Sequence, residues 1–206
     1  VYANTNEKTD TPYSYSVGGW IAEMEARVGG VAGYMQGTIF SNNLVENVEV
    51  SYTGGGRYVG GVAGFTNTPV SENQFTNIHV TAELKDEIAL ANLSAATQRD
   101  DYSRYNLYAQ FGGIFGYAQT LTDNKISNIS IDADGNYVGG VSGYQAGTVS
   151  GNTVSDVDVY ADGNMVGGLF GQNQDGIREN TLSHILVNVR GAVVGGVSGY
   201  QISHVR

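Results

Sequence analysis

Apolar residues alternate with polar ones in short runs along most of the chain, and Gly, Asn or Asp bounds each run. The stretches Ile129–Ile131 and Val157–Val159 show the period of two that is typical of strands. No helical period competes with it in these runs. The pattern therefore predicts an all-β protein built from short strands.

A glycine-rich phrase, V-G-G-apolar-x-G followed by Tyr, Phe or Gln, recurs along the chain. Its copies begin at Val28, Val59, Phe111, Val138, Val166 and Val194. Successive copies lie 27 to 31 residues apart, except for one interval of 52. A degenerate seventh copy occupies Val17–Met24. A fixed period of this kind is the signature of a repeat architecture.

Each unit of about 28 residues contains two further elements. A run with Asn in its third position follows the glycine phrase, at Asn43, Asn73, Asn124, Asn152 and Asn180. A Gly- and Asp-rich segment such as Asp132–Asn136 then predicts a turn into the next phrase. One unit thus holds about three short strands. It cannot bury its apolar face alone, so the units are predicted to stack.

Stacking in register predicts a parallel β-solenoid of about six coils, with right-handed winding. Equivalent residues then form columns with a spacing of about 4.8 Å. The Asn column is expected to be joined by amide hydrogen bonds. The glycine pairs are expected at corners that need left-handed backbone or leave no room for a Cβ atom. A buried apolar column is predicted at Val31, Val62, Ile114, Val141, Leu169 and Val197.

The glycine phrase and the Asn-containing strand after it resemble the GLUG repeat, named for its Gly-Leu-any-Gly core. The resemblance covers the chain from Val17 to Tyr200 apart from one insertion. GLUG repeats occur in large secreted or cell-surface bacterial proteins, including adhesin-like proteins and zinc metalloproteases that cleave immunoglobulin A. The resemblance implies an extracellular or bacterial cell-surface location.

The chain divides into a partial or degenerate coil at 1–27 and solenoid repeats at 28–206, with the insertion at about 83–108. The opening "VYANT" resembles "VYADGN" at Val159–Asn164. We therefore expect the chain to start in the third strand of a preceding coil. Exposed strand edges at the two ends are expected either to continue into further coils of a larger protein or to self-associate end to end.

Charge and composition narrow the possible partners. The formal net charge of −10 disfavours nucleic acid, because the phosphate backbone is itself anionic. No apolar run reaches the 18 or so residues that a membrane-spanning helix needs, so membrane insertion is not expected. The chain contains no Cys, which excludes disulfides and thiol chemistry.

The residue types needed for catalysis do not form a recognisable motif. His79, His184 and His204 lack the HExxH arrangement of zinc hydrolases. Paired acids such as Asp156 and Asp158 are weak evidence for a glycosidase, because any i, i+2 pair has a similar spacing. The segment is predicted to be a non-catalytic structural or adhesive module. The alternatives are a spacer or substrate-docking region of an immunoglobulin-cleaving metalloprotease and a polysaccharide-acting enzyme.

Two aspartates suggest one metal site. Stacking places Asp134 over Asp162 and Asp162 over Arg190, and like charges at this spacing repel. A shared Ca²⁺ would offset that repulsion. The competing interpretation is that each Asp-Gly pair simply makes a turn, and no other cofactor is predicted.

The insertion carries a second candidate site, for a host protein or glycan. Tyr102, Tyr105 and Tyr108 recur at steps of three beside Arg104. They would form a contact surface for a partner, or they would pack the insertion onto the solenoid. The stretch "DEIALANLSAAT" within the insertion predicts one or two helical turns.

Overall fold

The computed structural model describes residues 2–6, 14–17, 20–23, 27–54, 58–84 and 109–203. Within these ranges every regular element is a β-strand. The parallel sheets stack as a β-solenoid of about five turns with about 28 residues per turn. The predicted fold class is confirmed, and the right-handed winding stays a prediction.

Three parallel sheets run along the solenoid, and each coil that is described in full contributes to all three. Strands are numbered in chain order. The first sheet contains β1 (Tyr2–Asn6), β4 (Arg27–Gly29), β7 (Leu44–Gly54), β8 (Tyr58–Gly60), β11 (Gln74–Leu84), β12 (Gln110–Gly112), β15 (Lys125–Gly139), β18 (Thr153–Gly167) and β21 (Thr181–Gly195). We call it the long sheet, because β15, β18 and β21 have 15 residues each.

The other two sheets are built from shorter strands. The second contains β5 (Ala32–Met35), β9 (Ala63–Thr66), β13 (Phe115–Ala118), β16 (Ser142–Gln145), β19 (Phe170–Asn173) and β22 (Ser198–Gln201). The third contains β6 (Phe40–Ser41), β10 (Val70–Ser71), β14 (Leu121–Thr122), β17 (Val149–Ser150) and β20 (Ile177–Arg178). The prediction of three strands per unit is confirmed.

The predicted turn at Asp132–Asn136 is wrong. These residues lie inside β15, which pairs with β18 from Lys125 to Gly139 with the main-chain register kept. Asp-Gly favours turns locally, but parallel pairing with neighbouring strands keeps the backbone extended here. The long strand therefore takes up both the second and the third predicted element of the unit.

The first residues depart from the repeat. β1 pairs in parallel with β7, with Tyr2 beside Glu49, whereas the match between "VYANT" and "VYADGN" predicts a register two residues different. Strands β2 (Ser14–Val17) and β3 (Trp20–Glu23) form an antiparallel pair. Within the degenerate copy at Val17–Met24, Val17 therefore pairs with Trp20 in antiparallel strands instead of beginning a parallel coil.

Apolar side chains of successive coils fill the interior. Val62, Ile114, Val141 and Leu169 are all buried, which confirms the predicted column over the middle coils. Val31 is 49% exposed and Val197 is only partly buried, because each lies in a terminal coil. Burial in this column thus depends on having a coil on both sides.

The predicted Asn column is also confirmed. The side-chain Nδ2 of Asn124 donates to Oδ1 of Asn152 at 2.9 Å, and Asn152 donates in the same way to Asn180 at 2.9 Å. The backbone N–H of each residue donates to the same Oδ1 atom. Asn43 and Asn73 continue the ladder at the other end. Each amide thereby satisfies buried polar groups of two coils.

The glycine pairs are required by close approach between coils, and not by left-handed backbone. A Cβ atom on Gly140 would overlap Val157 and the carbonyl oxygen of Gly168 in the next coil. Left-handed backbone occurs at the residue before each Asn of the ladder, namely Asn42, Glu72, Asp123, Gly151 and Glu179. Inside the long strands the left-handed residues are polar: Asn47, Asn77, Asn128, Asp156 and His184. Each lets the strand skip one position. That explains why Val154 and Val157, three residues apart, both point inward.

Candidate functional site

The insertion enters the solenoid at one defined point of the long sheet. Gln74 pairs with Lys125 and Gln110 with Tyr137, separations of 51 and 27 residues that differ by the 24 inserted residues. Leu84 pairs with Gly54. Ala109 exchanges hydrogen bonds with Asn136, whose N–H donates to the Ala109 carbonyl. The inserted segment is therefore 85–108, because residues 83 and 84 still belong to β11.

Two other segments of the chain join the long sheet at the same point of the coil. Asn6 pairs with Thr53 and Arg27 pairs with Tyr58, so residues 7–26 enter between these two positions. Residues 55–57 lie between β7 and β8. In the regular coils the strand passes straight through at Asn136 and Asn164. We call this position the insertion corner. Insertions confined to one side of a repeat array often mark a binding face.

Side chains of the regular coils form a shallow hollow at the insertion corner. It is lined by Asn136, Tyr137, Asn164 and Met165. The Tyr137 ring meets Tyr144 edge to face, with ring centroids 6.2 Å apart. Asn164 is exposed. Amide and aromatic groups together can contact the hydroxyl groups and the apolar faces of a saccharide.

An aromatic column runs beside the hollow on the second sheet. The rings of Phe65 and Tyr117 stack with centroids 4.3 Å apart, and Tyr117 and Tyr144 stack at 5.4 Å. The Arg27 guanidinium lies 4.8 Å from the Tyr34 ring centroid at one end of the column. Sequence reasoning missed this column, although the last letter of the glycine phrase marks it. Gln172 interrupts it.

The two aspartates of the predicted calcium site are neighbours, as their positions in the repeat predict. Asp134 pairs with Asp162 in adjacent strands, and Glu83 pairs with Asp134 on the other side. Burial and the Asp162 carboxylate raise the pKa of Asp134. Arg190 binds Asp162, with Nε 3.1 Å from Oδ1 and a terminal nitrogen 3.0 Å from Oδ2. Calcium binding stays a prediction at this pair.

The histidines that the structure describes lie far apart along the solenoid. His79 is in β11 and His184 is in β21, which is separated from it by β15 and β18. Nδ1 of His184 lies 3.4 Å from Asp156, and both side chains are largely exposed. His204 lies outside the described residues. His79 and His184 therefore do not converge on one site.

The candidate contact residues Tyr102, Arg104, Tyr105 and Tyr108 lie outside the described residues. So does the predicted helical stretch. Their segment nevertheless joins the solenoid at the insertion corner, next to the position of Asn136. The partner surface that they were predicted to form stays a prediction.

Comparisons with known proteins give no assignment: no family model, no curated protein and no solved structure matches the chain. Across the described ranges, no three His, Asp or Glu side chains are grouped closely enough to hold a metal ion. The same ranges contain no helix long and apolar enough to cross a membrane.

Proposed function

We propose that the chain is a non-catalytic structural and adhesive module of a larger bacterial surface or secreted protein. The carrying observation is that the polar groups of the repeat bond their own equivalents in the next coil. Asn124, for example, donates to Asn152 and to the Val70 carbonyl, and accepts from Asn73. Groups engaged in this way hold coils together. The resemblance to GLUG repeats supports the same conclusion.

The adhesive part of the proposal rests on the insertion corner. Segments outside the repeat join the long sheet there. The hollow of Asn136, Tyr137, Asn164 and Met165 lies at the same point of the regular coils. Its side chains are uncharged, so a neutral saccharide fits it better than a charged one. Residues 85–108, with Tyr102, Arg104, Tyr105 and Tyr108, would add to the surface.

Binding to an array of neutral and acidic glycans tests the proposal. Asn164→Ala should weaken binding by about 3- to 10-fold, the loss expected for one or two hydrogen bonds. Asn188→Ala is the matched control, because Asn188 is an exposed amide of the long sheet away from the corner. Equal binding by both variants would contradict the assigned surface. Reproducible cleavage of any glycan would contradict a non-catalytic role.

A further inference from the structure

The two ends of the solenoid carry complementary hydrogen-bonding groups. In each coil, two consecutive N–H groups donate to one carbonyl of the next coil: Val141 and Ser142 donate to Leu169, and Leu169 and Phe170 donate to Val197. The equivalent N–H groups of Val197 and Ser198 have no acceptor among the described residues. At the opposite end, no described N–H donates to the Val31 carbonyl.

Gly196 is a second sign that something packs on the last coil. Its equivalents Gly140 and Gly168 are needed because the carbonyl of the following coil lies where a Cβ would be. Around Gly196, apart from its two chain neighbours, no atom of the described residues lies within 4 Å of that position. The glycine serves no purpose within the described fold, whereas an additional coil would require it.

Apolar side chains are exposed at both ends of the solenoid. Val194 is 50% exposed and Tyr200 is 46% exposed, while their interior equivalents Val166 and Tyr144 are buried and half-buried. At the other end Val31 and Tyr34 are 49% and 41% exposed. Placing β4 and β5 over β21 and β22 would set Val28 on Val194 and Tyr34 on Tyr200.

We propose that a second copy of this chain docks head to tail on the edge formed by Leu186–Gln201. Its Val31 carbonyl would accept the N–H groups of Val197 and Ser198, which repeats the contact between interior coils. Its β1 would pair with Leu186–Arg190. The strand pairings place Tyr2 and Leu186 at the same position of the coil, so the docked β1 would continue the column that ends at Leu186. The contact joins different surfaces of the two copies, so it leaves both outer ends free and the assembly grows.

Salt should favour this association. The chain has a formal net charge of −10, so copies repel one another. At physiological ionic strength this repulsion is screened beyond about 8 Å. The backbone and apolar contacts at the edge are much less sensitive to salt. Sedimentation of the whole chain should therefore show mass rising with protein concentration, and rising further with added salt.

Two variants each block one end. Gly196→Ala adds a methyl group that meets no described residue of the single chain beyond its own neighbours, but it would overlap the Gly30 carbonyl of a docked copy. Val31→Lys places a charge on the opposite, half-exposed position, where docking would bury it. In dilute protein, where the wild-type chain is monomeric, each variant alone should keep the wild-type melting temperature. At higher concentration each should lose association. Mixed at equal amounts, they should form one-to-one dimers that grow no further, because each supplies the end that the other lacks.

The mixture separates head-to-tail docking from other assemblies. A wild-type chain that stays monomeric at every concentration and salt level would overturn the proposal. Association of Gly196→Ala alone would show contact through another surface and would overturn it as well. So would a mixture that stays monomeric. None of these outcomes depends on glycan binding at the insertion corner, so the two proposals fail separately.

Discussion

The coils in the middle of the molecule and the last coil contain nearly the same residues in different surroundings. Val166 is fully buried in an interior coil, and Val194, in the same position of the last coil, is half exposed. A Cβ atom on Gly168 would overlap the next coil, whereas a Cβ atom on Gly196 would meet no described residue beyond its chain neighbours. The residues of the repeated phrase are therefore suited to contact with a neighbouring coil. They stabilise the chain only where that coil is present.

The largest difference should appear between alanine substitutions of the two glycines. Gly168→Ala forces a methyl group into the Gly196 carbonyl and the Ile185 side chain. Overpacking of this kind costs about 1–3 kcal/mol, and backbone that cannot move aside puts this site at the upper end. Gly196→Ala should leave the free energy of unfolding unchanged. Denaturant unfolding of both variants measures the difference. Equal losses in the free energy of unfolding would contradict the contrast between the two glycines.

The Asn ladder should show the same contrast. Asn124→Ala removes the amide that accepts from Asn73 and donates to Asn152 and Val70. Each buried group left unsatisfied costs about 1–3 kcal/mol, so the total should exceed 2 kcal/mol. Asn43→Ala, at the exposed end, should cost under about 1 kcal/mol. Thermal unfolding tests this, and a larger loss at Asn43 would contradict it.

Charge on the long sheet should have a smaller effect that depends on pH. Because the pKa of Asp134 is raised in the folded chain, ionisation of Asp134 opposes folding. This destabilisation is fully present above the folded pKa. It is absent below about pH 3.9, where Asp is protonated in the folded and the unfolded chain alike. At neutral pH, Asp134→Asn should therefore increase the free energy of unfolding by under about 0.5 kcal/mol, which a small rise in melting temperature would show. The rise should vanish in acid.

Asp175 is the control for Asp134, because its pKa is lowered instead of raised. The Gly176 N–H and the Thr148 hydroxyl bind its carboxylate and lower its pKa. Asp175→Asn should destabilise the chain at neutral pH, and the difference from wild type should shrink as the pH falls through the lowered pKa. The same sign for both variants would mean that local electrostatics do not govern them.

The predicted calcium site should give the smallest effect. If Asp134 and Asp162 share an ion, a chelator should lower the melting temperature of the wild-type chain. Asp162→Asn should abolish that sensitivity, since it removes one of the two carboxylates. Identical melting with and without chelator would contradict the prediction.

The repeat made the stacking predictable. Because equivalent residues of a solenoid must lie over one another, the position of Asp134 over Asp162 followed from spacing alone. The insertion was visible as a break in the spacing for the same reason. The columns of Asn152 and Leu169 followed from the same argument.

What the sequence did not show depends on the coils above and below. Asp132–Asn136 was predicted as a turn from local preference, but two neighbouring strands hold it extended. The left-handed position of Asp156 sits inside a strand. Its column holds Asn, Asp and His, which favour left-handed backbone, but the alternating pattern around it predicts an uninterrupted strand. The aromatic column at Tyr117 and Tyr144 corresponds to the last residue of the glycine phrase, but Gln172 interrupts the series, and ring stacking between coils depends on the neighbouring strands.

Amide hydrogen exchange of the wild-type chain tests the central claim most directly, in dilute protein at low salt where single chains dominate. Leu169 and Phe170 donate to the Val197 carbonyl, whereas Val197 and Ser198 have no acceptor among the described residues. The first pair should therefore exchange only with global unfolding, and the second pair should exchange rapidly. Equal protection of the two pairs would contradict the account.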